Sequence, residues 1–269
     1  MSSGDYVHGY SATESQRLSD QANTLSGLLH YDSVFHPAGL VLEVGCGTGA
    51  QTVIVAPQNP QCDFISIDIA GDSLIKAEKN IKNKGIRNVK FQVADVFNLP
   101  FNEESFDHVF VCFLLEHLQE PVRSLTLLKK VLKKGGTITV IEGDHGSAYY
   151  YPRSSAAQAT IQCLIDVQAS LGGNSLIGRE LYPLLVAAGF GKISVSPRIV
   201  YADASKPEMV DGFTRKTFIA MVEGVKEQAI NRGLITEGEW GRGIADLYRS
   251  ADSDGTFCYA FFKALGKKP

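Results

Sequence analysis

Between Gly39 and Gly143 short apolar runs alternate with helix-length amphipathic stretches, and few folds accept that order. Leu40–Val44, Asp63–Asp68, Val89–Ala94, Phe106–Cys112 and Thr137–Glu142 read as strands. The first leads through a glycine-rich turn into a helix that Pro57 or Pro60 must stop, because proline lacks the donor a helix interior needs. The second leads into a helix over about Asp72 to Lys84, closed by Gly85. A helix over Pro121–Leu132 and a turn at Gly135-Gly136 precede the fifth strand. Such alternation builds right-handed crossovers, hence a parallel sheet with helices on both faces.

The flanking regions are less regular. Ser11-Ala-Thr-Glu14 has the form of a capping box, followed by an apolar stripe of Leu18, Ala22, Leu25 and Leu29. After the fifth strand the pattern predicts a helix over Ser154–Leu171, another over Leu176–Ala188 and a strand over Lys192–Val200. Helices with a turn at Gly233 fill 204–255, and the aromatic-rich run Thr256–Leu265 suits a final strand. The segment between the last two strands is neither Pro/Ser-rich nor strongly charged, so it reads as a helical insertion and not a linker. Phe213, Phe218, Met221 and Val225 form its apolar stripe, which suits a core.

Composition narrows the function. Of 269 residues, 44% are hydrophobic and 20% charged, as in a globular protein. The net charge is -3 and no Lys/Arg run exceeds a pair, so no nucleic-acid partner is evident. Met1 to Tyr10 lacks the pattern of a secretory signal, and no apolar run is long enough to span a bilayer. The five cysteines contain no CxxC pair, which speaks against a disulfide framework or a cysteine zinc site. A soluble, cytoplasmic protein with no metal is the expectation.

The sharpest local signal is Val41-Leu-Glu43-Val-Gly45-Cys46-Gly47-Thr-Gly49, a strand that turns on three alternate glycines into a helix. Two cofactors suit it. Read as Gly45-x-Gly47-x-x-Ala50 with Asp68 about 20 residues on, it resembles a dinucleotide fingerprint. Glu43 favours the other reading, S-adenosylmethionine. A carboxylate repels a pyrophosphate but attracts the sulfonium and ammonium of the methyl donor. Asp68 ends the second strand, where a carboxylate can accept both ribose hydroxyls, and Asp95 follows the third, where it can accept from the adenine amino group. Strand carboxyl ends are where open α/β sheets bind ligands. Taken singly, either Asp is equally a helix or turn cap.

These residues resemble the class I S-adenosylmethionine-dependent methyltransferases, similar to the ubiquinone/menaquinone-biosynthesis type. The likeness rests on Val41–Gly49, Phe64–Ile69, Ala94–Asp107, Val109–Pro121 and Leu132–Gly136, in order and at ordinary spacing. It implies a Rossmann-like, seven-stranded, mostly parallel sheet in which the last strand in sequence slots in beside the fifth. It also implies one methyltransferase domain over 1–269. Residues 1–36 would be a tail and helix over the donor, and 37–145 the donor-binding core. Residues 146–175 and 204–255 would be helical lid segments, and 176–203 and 256–269 the final strands. By the same likeness Glu43, Gly45, Cys46, Gly47 and Gly49 surround the methionine part, Ile69 walls the adenine and Val96 joins Asp95 at its edge. Cys112 and Phe113 face the sulfonium, and His117 lines the pocket. Tyr10 and Arg17 stand where related enzymes carry an aromatic and a cation over the donor.

The acceptor is not legible, though a lid of this size suits a small molecule. Glu142-Gly-Asp144-His145, leaving the fifth strand, offers His145 as a catalytic base, its ring oriented by Asp144 or Glu142. The same residues also fit an RNA or protein methyltransferase. From other classes, a NAD(P)-dependent oxidoreductase and a non-catalytic donor-binding module remain alternatives.

Overall fold

The structure is a computed structural model that describes residues 12–269. Tyr10, expected over the donor, and Ser11, which opens the expected capping box, lie outside the described residues, as do the side chains of Glu14 and Leu18. In chain order the elements begin with α1 (Ala12–Leu29), β1 (Leu40–Val44), α2 (Thr52–Gln58), β2 (Asp63–Asp68), α3 (Gly71–Asn83), β3 (Val89–Val93) and β4 (Phe106–Cys112). A short 3-10 turn, Leu115–His117, precedes α4 (Pro121–Val131) and β5 (Leu132–Tyr151). Next come α5 (Ser155–Ser170), a 3-10 turn at Ile177–Glu180, α6 (Leu181–Ala187) and β6 (Gly191–Asp203). The run ends with α7 (Pro207–Met209), a π-helix (Val210–Ile219), α8 (Ala220–Glu223), α9 (Lys226–Asn231), α10 (Glu237–Arg249) and β7 (Thr256–Lys267).

The seven strands lie in the order β3-β2-β1-β4-β5-β7-β6. β1 through β5 pair in parallel, with Val41 opposite both Phe64 and His108. Near the start of β5, Gly135 N donates to Lys268 O and Lys268 N to Gly136 O. The chain end therefore runs opposite to β5, as the family resemblance implies.

Several expectations need correction. β5 is longer than Thr137–Glu142 at both ends. The expected turn at Gly135-Gly136 lies inside it, where the register shifts: β4 advances from Phe106 to His108 while β5 advances from Leu132 to Thr137, with Gly135 at φ 75° in the longer path. Residues 142–151, expected to leave the strand, continue it. Pro57 lies inside α2, so the stop falls before Pro60. The helix expected over Leu176–Ala188 breaks at Leu181, because Pro183 is tolerated only in a helix's first turn.

The chain forms two compact units. One comprises Leu29–Gly143, Ile177–Pro197 and Phe262–Pro269. In its core Val109 and Val111 of β4 join Leu42, Val44, Ile138 and Val140, with Leu125 and Leu128 of α4 and Leu181 and Leu185 of α6. Alternation along β4 sends His108 and Phe110 to the other face, where Phe35 stacks on His108 at 5.2 Å and meets Phe110 edge-on at 6.2 Å. Among the described residues the other unit comprises those up to Leu28, Asp144–Leu176 and Arg198–Phe261. Its α10 starts at a capping box of Thr236 and Glu239. α10 lies so close on α5 that a Cβ at Gly243 would sit 2.5 Å from the Ala156 carbonyl oxygen. Phe213, Phe218, Phe257, Tyr259 and Phe261 fill this unit as one ring cluster. The stripe of Phe213, Phe218, Met221 and Val225 is buried, as a core stripe should be.

Phe110 is fully buried between His30 and Phe35, so Phe110→Ala should cost about 3–5 kcal/mol of stability in urea unfolding. A loss below about 1 kcal/mol would contradict this packing.

Candidate functional site

The loop after β1 is built by β2. Gly45 N and Cys46 N both donate to the Ile67 carbonyl, at 2.8 and 3.0 Å. Gly47 N donates to Asp68 Oδ2 at 2.8 Å. Gly45, Gly47 and Gly49 have φ of 73°, 53° and 77°, the left-handed region that side chains resist. At Gly45 a Cβ would also meet Leu114 at 2.9 Å, whereas at Gly47 it would meet nothing within 4 Å. Gly47 is thus required by its dihedral alone.

Two acids, Asp68 and Glu43, flank this turn, and a third, Asp95, follows β3. Asp68 accepts from Gly47 through Oδ2 and from Ala70 N through Oδ1 at 2.9 Å. Each carboxylate oxygen keeps a further lone pair, so Asp68 both fastens the loop and can accept from a ligand. Asp95 Oδ1 accepts from Phe97 N at 2.9 Å and so also closes its own turn. Glu43 lies behind the loop, buried, with Oε2 accepting from Ser66 Oγ at 2.6 Å and Thr52 Oγ1 at 2.8 Å. Burial pushes its pKa up to about 7, the two hydroxyls oppose that, and the Asp68 charge adds to it. Ile69 beside Asp68 is 42% exposed, an apolar surface open to a flat ring, and Val96 is buried beside Asp95.

The tip of β4 is held from β5. Phe113 takes φ 57°, and its N–H donates to Ile141 O at 2.9 Å. The next two amides, Leu114 N and Leu115 N, donate to Glu142 Oε1 at 3.0 and 2.7 Å. Glu142 is fully buried; burial pushes its pKa well up and the Glu116 charge adds to that. Burial likewise raises the thiols of Cys46 and Cys112, which therefore stay protonated and serve as walls. His117 Nε2 lies 3.7 Å from Glu116 Oε1 in the 3-10 turn that follows.

All the expected residues from Glu43 to His117 thus fall in one unit, at the carboxyl ends of β1, β2 and β4 or on the segments that follow β1, β2, β3 and β4. Arg17 and His145 belong to the other. Arg17 is buried and donates to Gln21 Oε1 at 3.0 Å. His145 is buried on β5 with Nδ1 2.7 Å from the Tyr259 hydroxyl. Glu142 holds Leu114 and Leu115, Asp144 Oδ1 accepts from Gly146 N, and Tyr259 meets the His145 ring at Nδ1.

Sequence reasoning missed a polar group behind α2. Lys263 is buried, and its Nζ donates to Asp32 Oδ1 at 2.6 Å, Ser33 Oγ at 2.8 Å and Leu29 O at 3.2 Å. His30 joins Ser33 Oγ at 3.2 Å through Nδ1 and Gln51 Oε1 at 2.7 Å through Nε2. Burial holds the His30 pKa down at about 4. The signal available was a lone lysine inside an aromatic strand. Among the described residues no cluster of His, Cys, Asp or Glu suits a metal, and no helix is long and apolar enough to cross a membrane.

A family model described as "Methyltransferase domain" matches residues 35–189. The chain belongs to this methyltransferase-domain family. It is 33% identical over 147 residues to an uncharacterised methyltransferase of Schizosaccharomyces pombe, covering 52% of each chain. It is 29% identical over 107 residues to a ubiquinone/menaquinone biosynthesis C-methyltransferase of Geobacter, covering 39% of this chain and 46% of that one. The match spans about half the length of these curated relatives. Among solved structures, an S-adenosylmethionine-dependent methyltransferase of Thermotoga maritima shares the fold with a TM-score of 0.55 at 20% identity, covering 95% of this chain and 94% of that one.

Two outcomes follow from the loop. Glu43 titrates at about 7 in the fold against 4.5 in the open chain, so the folded state binds the proton more tightly. Its contribution to stability is complete below the lower value and is lost as pH rises through the upper one, about 3 kcal/mol in all. Glu43→Gln should remove that decline from urea unfolding curves taken across the window; a decline of the same size in the variant would refute the assignment. Gly47→Ala should cost about 1–2 kcal/mol through its dihedral, and Gly45→Ala more because Leu114 also blocks it. The reverse order would contradict the loop geometry.

Proposed function

We propose that the protein is an S-adenosylmethionine-dependent methyltransferase acting on a small-molecule acceptor. The observation that carries this reading is the glycine turn tied to Asp68 with the buried acid Glu43 behind it. Family membership and the shared fold point the same way. A diphosphate would bring negative charge towards Glu43 and Asp68, whereas the methyl donor brings an ammonium and a sulfonium. That asymmetry favours the methyl donor over a nicotinamide cofactor.

In this reading Asp68 accepts the ribose hydroxyls and Asp95 the adenine amino group, with Ile69 and Val96 against the ring. Gly45, Cys46, Gly47 and Gly49 surround the methionine part. Cys112 and Phe113 face the sulfonium, and His117 borders the pocket. When bound, the donor would supply an electrophilic methyl group for the acceptor's lone pair. The chain's share is alignment and exclusion of water. Thiols kept protonated at Cys46 and Cys112 do not compete for the methyl. Where the acceptor must lose a proton, His145 is the proposed base, with Tyr259 holding Nδ1. The helical segments 146–175 and 204–255 are proposed to choose the acceptor. Five free thiols suit a reducing compartment, so we assign the protein to the cytoplasm.

Calorimetric titration of the purified protein with S-adenosylmethionine, its demethylated product and NAD tests this. The first two should bind and NAD should not; heat from NAD alone would overturn the reading. Asp68→Ala should weaken donor binding by about 1–3 kcal/mol, and an unchanged affinity would contradict the ribose assignment.

A further inference from the structure

The polar group behind α2 has a direction. Lys263 Nζ can only donate, so Ser33 Oγ accepts from it and turns its own hydrogen to His30 Nδ1. His30, neutral because its pKa is held near 4, then carries its ring hydrogen on Nε2 and donates to Gln51 Oε1. The acceptor end of the Gln51 amide is thereby fixed, since flipping it would set N–H against N–H. Its Nε2 makes no hydrogen bond to any described residue, and the side chain is only partly buried. Gln51 lies two residues past Gly49, where the glycine loop meets α2. A buried lysine, a serine and a histidine are thus spent on aiming one amide beside the loop.

We propose that Gln51 binds the carboxylate of the donor's methionine part, held in position by the Lys263–Ser33–His30 relay. The assignment rests on the donor reading above and goes beyond it by naming the group. With its oxygen turned to His30, the other end of the amide offers N–H donors. The ribose hydroxyls fall to Asp68, the ammonium is itself a donor, and the sulfonium repels an N–H dipole. Within the methionine part, which this reading places at the glycine loop next to Gln51, the carboxylate is the only group that accepts. His30, Ser33 and Lys263 are positioning residues, since none of them is required to touch the ligand.

The test compares two ligands that differ in the amino-acid part. S-adenosylhomocysteine carries the carboxylate, and 5′-methylthioadenosine keeps the adenosine and thioether without it. By calorimetry Gln51→Leu should weaken S-adenosylhomocysteine about tenfold and leave methylthioadenosine unchanged. His30→Leu should produce a smaller loss with the same selectivity, and the double variant should lose less than the two single losses combined. Equal weakening of both ligands would show a disturbed loop and overturn the proposal, as would no change in either. Wild-type protein that binds neither ligand would overturn the donor reading and this inference with it. Thermal melts of Gln51→Leu, a partly exposed site, verify that the variant is folded.

Discussion

Everything at the candidate site hangs on how the end of β2 holds the turn after β1. Two amides of the turn share the Ile67 carbonyl, and a third reaches the Asp68 carboxylate. Three glycines in left-handed conformations carry a conformational cost that these bonds offset. One residue, Asp68, therefore has two duties: it fastens the loop through lone pairs already used, and it presents the remaining ones outward. A substitution there touches both the binder and the scaffold, which is why ligand affinity and loop integrity must be read separately.

Behind the half-buried acids Asp68 and Asp95 stand two buried ones. Glu43 is satisfied by hydroxyls of β2 and α2, and Glu142 by the amides that follow β4. Burial favours the neutral form of both, yet each is placed where a charge would be useful: one under the glycine turn, one under the β4 tip with its strained Phe113. A cation arriving at the turn would restore the charge on Glu43. The site thus resists charge when empty and accommodates it when a cation arrives, which suits a ligand that is itself positive. Removing either acid would also leave several donors without partners inside the fold.

The parallel core was legible because apolar runs such as Leu40–Val44 and Phe106–Cys112 have only one sheet-like reading and are separated by helices closed at Gly85 or opened at Pro121. The glycine turn and Asp68 were legible because φ above zero and strand-end acids leave marks in sequence. What stayed hidden was long-range pairing. Nothing local shows that Lys263 meets Ser33, or that Tyr259 meets the His145 Nδ1. The length of β5 was missed for a related reason. Gly135-Gly136 looks like a turn, and only the unequal advance against β4 shows that the register shifts there and the strand continues. The helices of 204–255 were expected from periodicity, but not the π-helix over Val210–Ile219, where Thr217 Oγ1 bonds back five residues to Gly212 O.

If a cation of the methyl donor sits at the glycine turn, it draws Glu43 into its charged form. Calorimetry of S-adenosylhomocysteine binding near the Glu43 pKa, repeated in buffers of different ionisation enthalpy, counts the protons exchanged. Release of a proton on binding, abolished in Glu43→Gln, is the predicted result. Binding with no proton exchange, or with proton uptake, would contradict it.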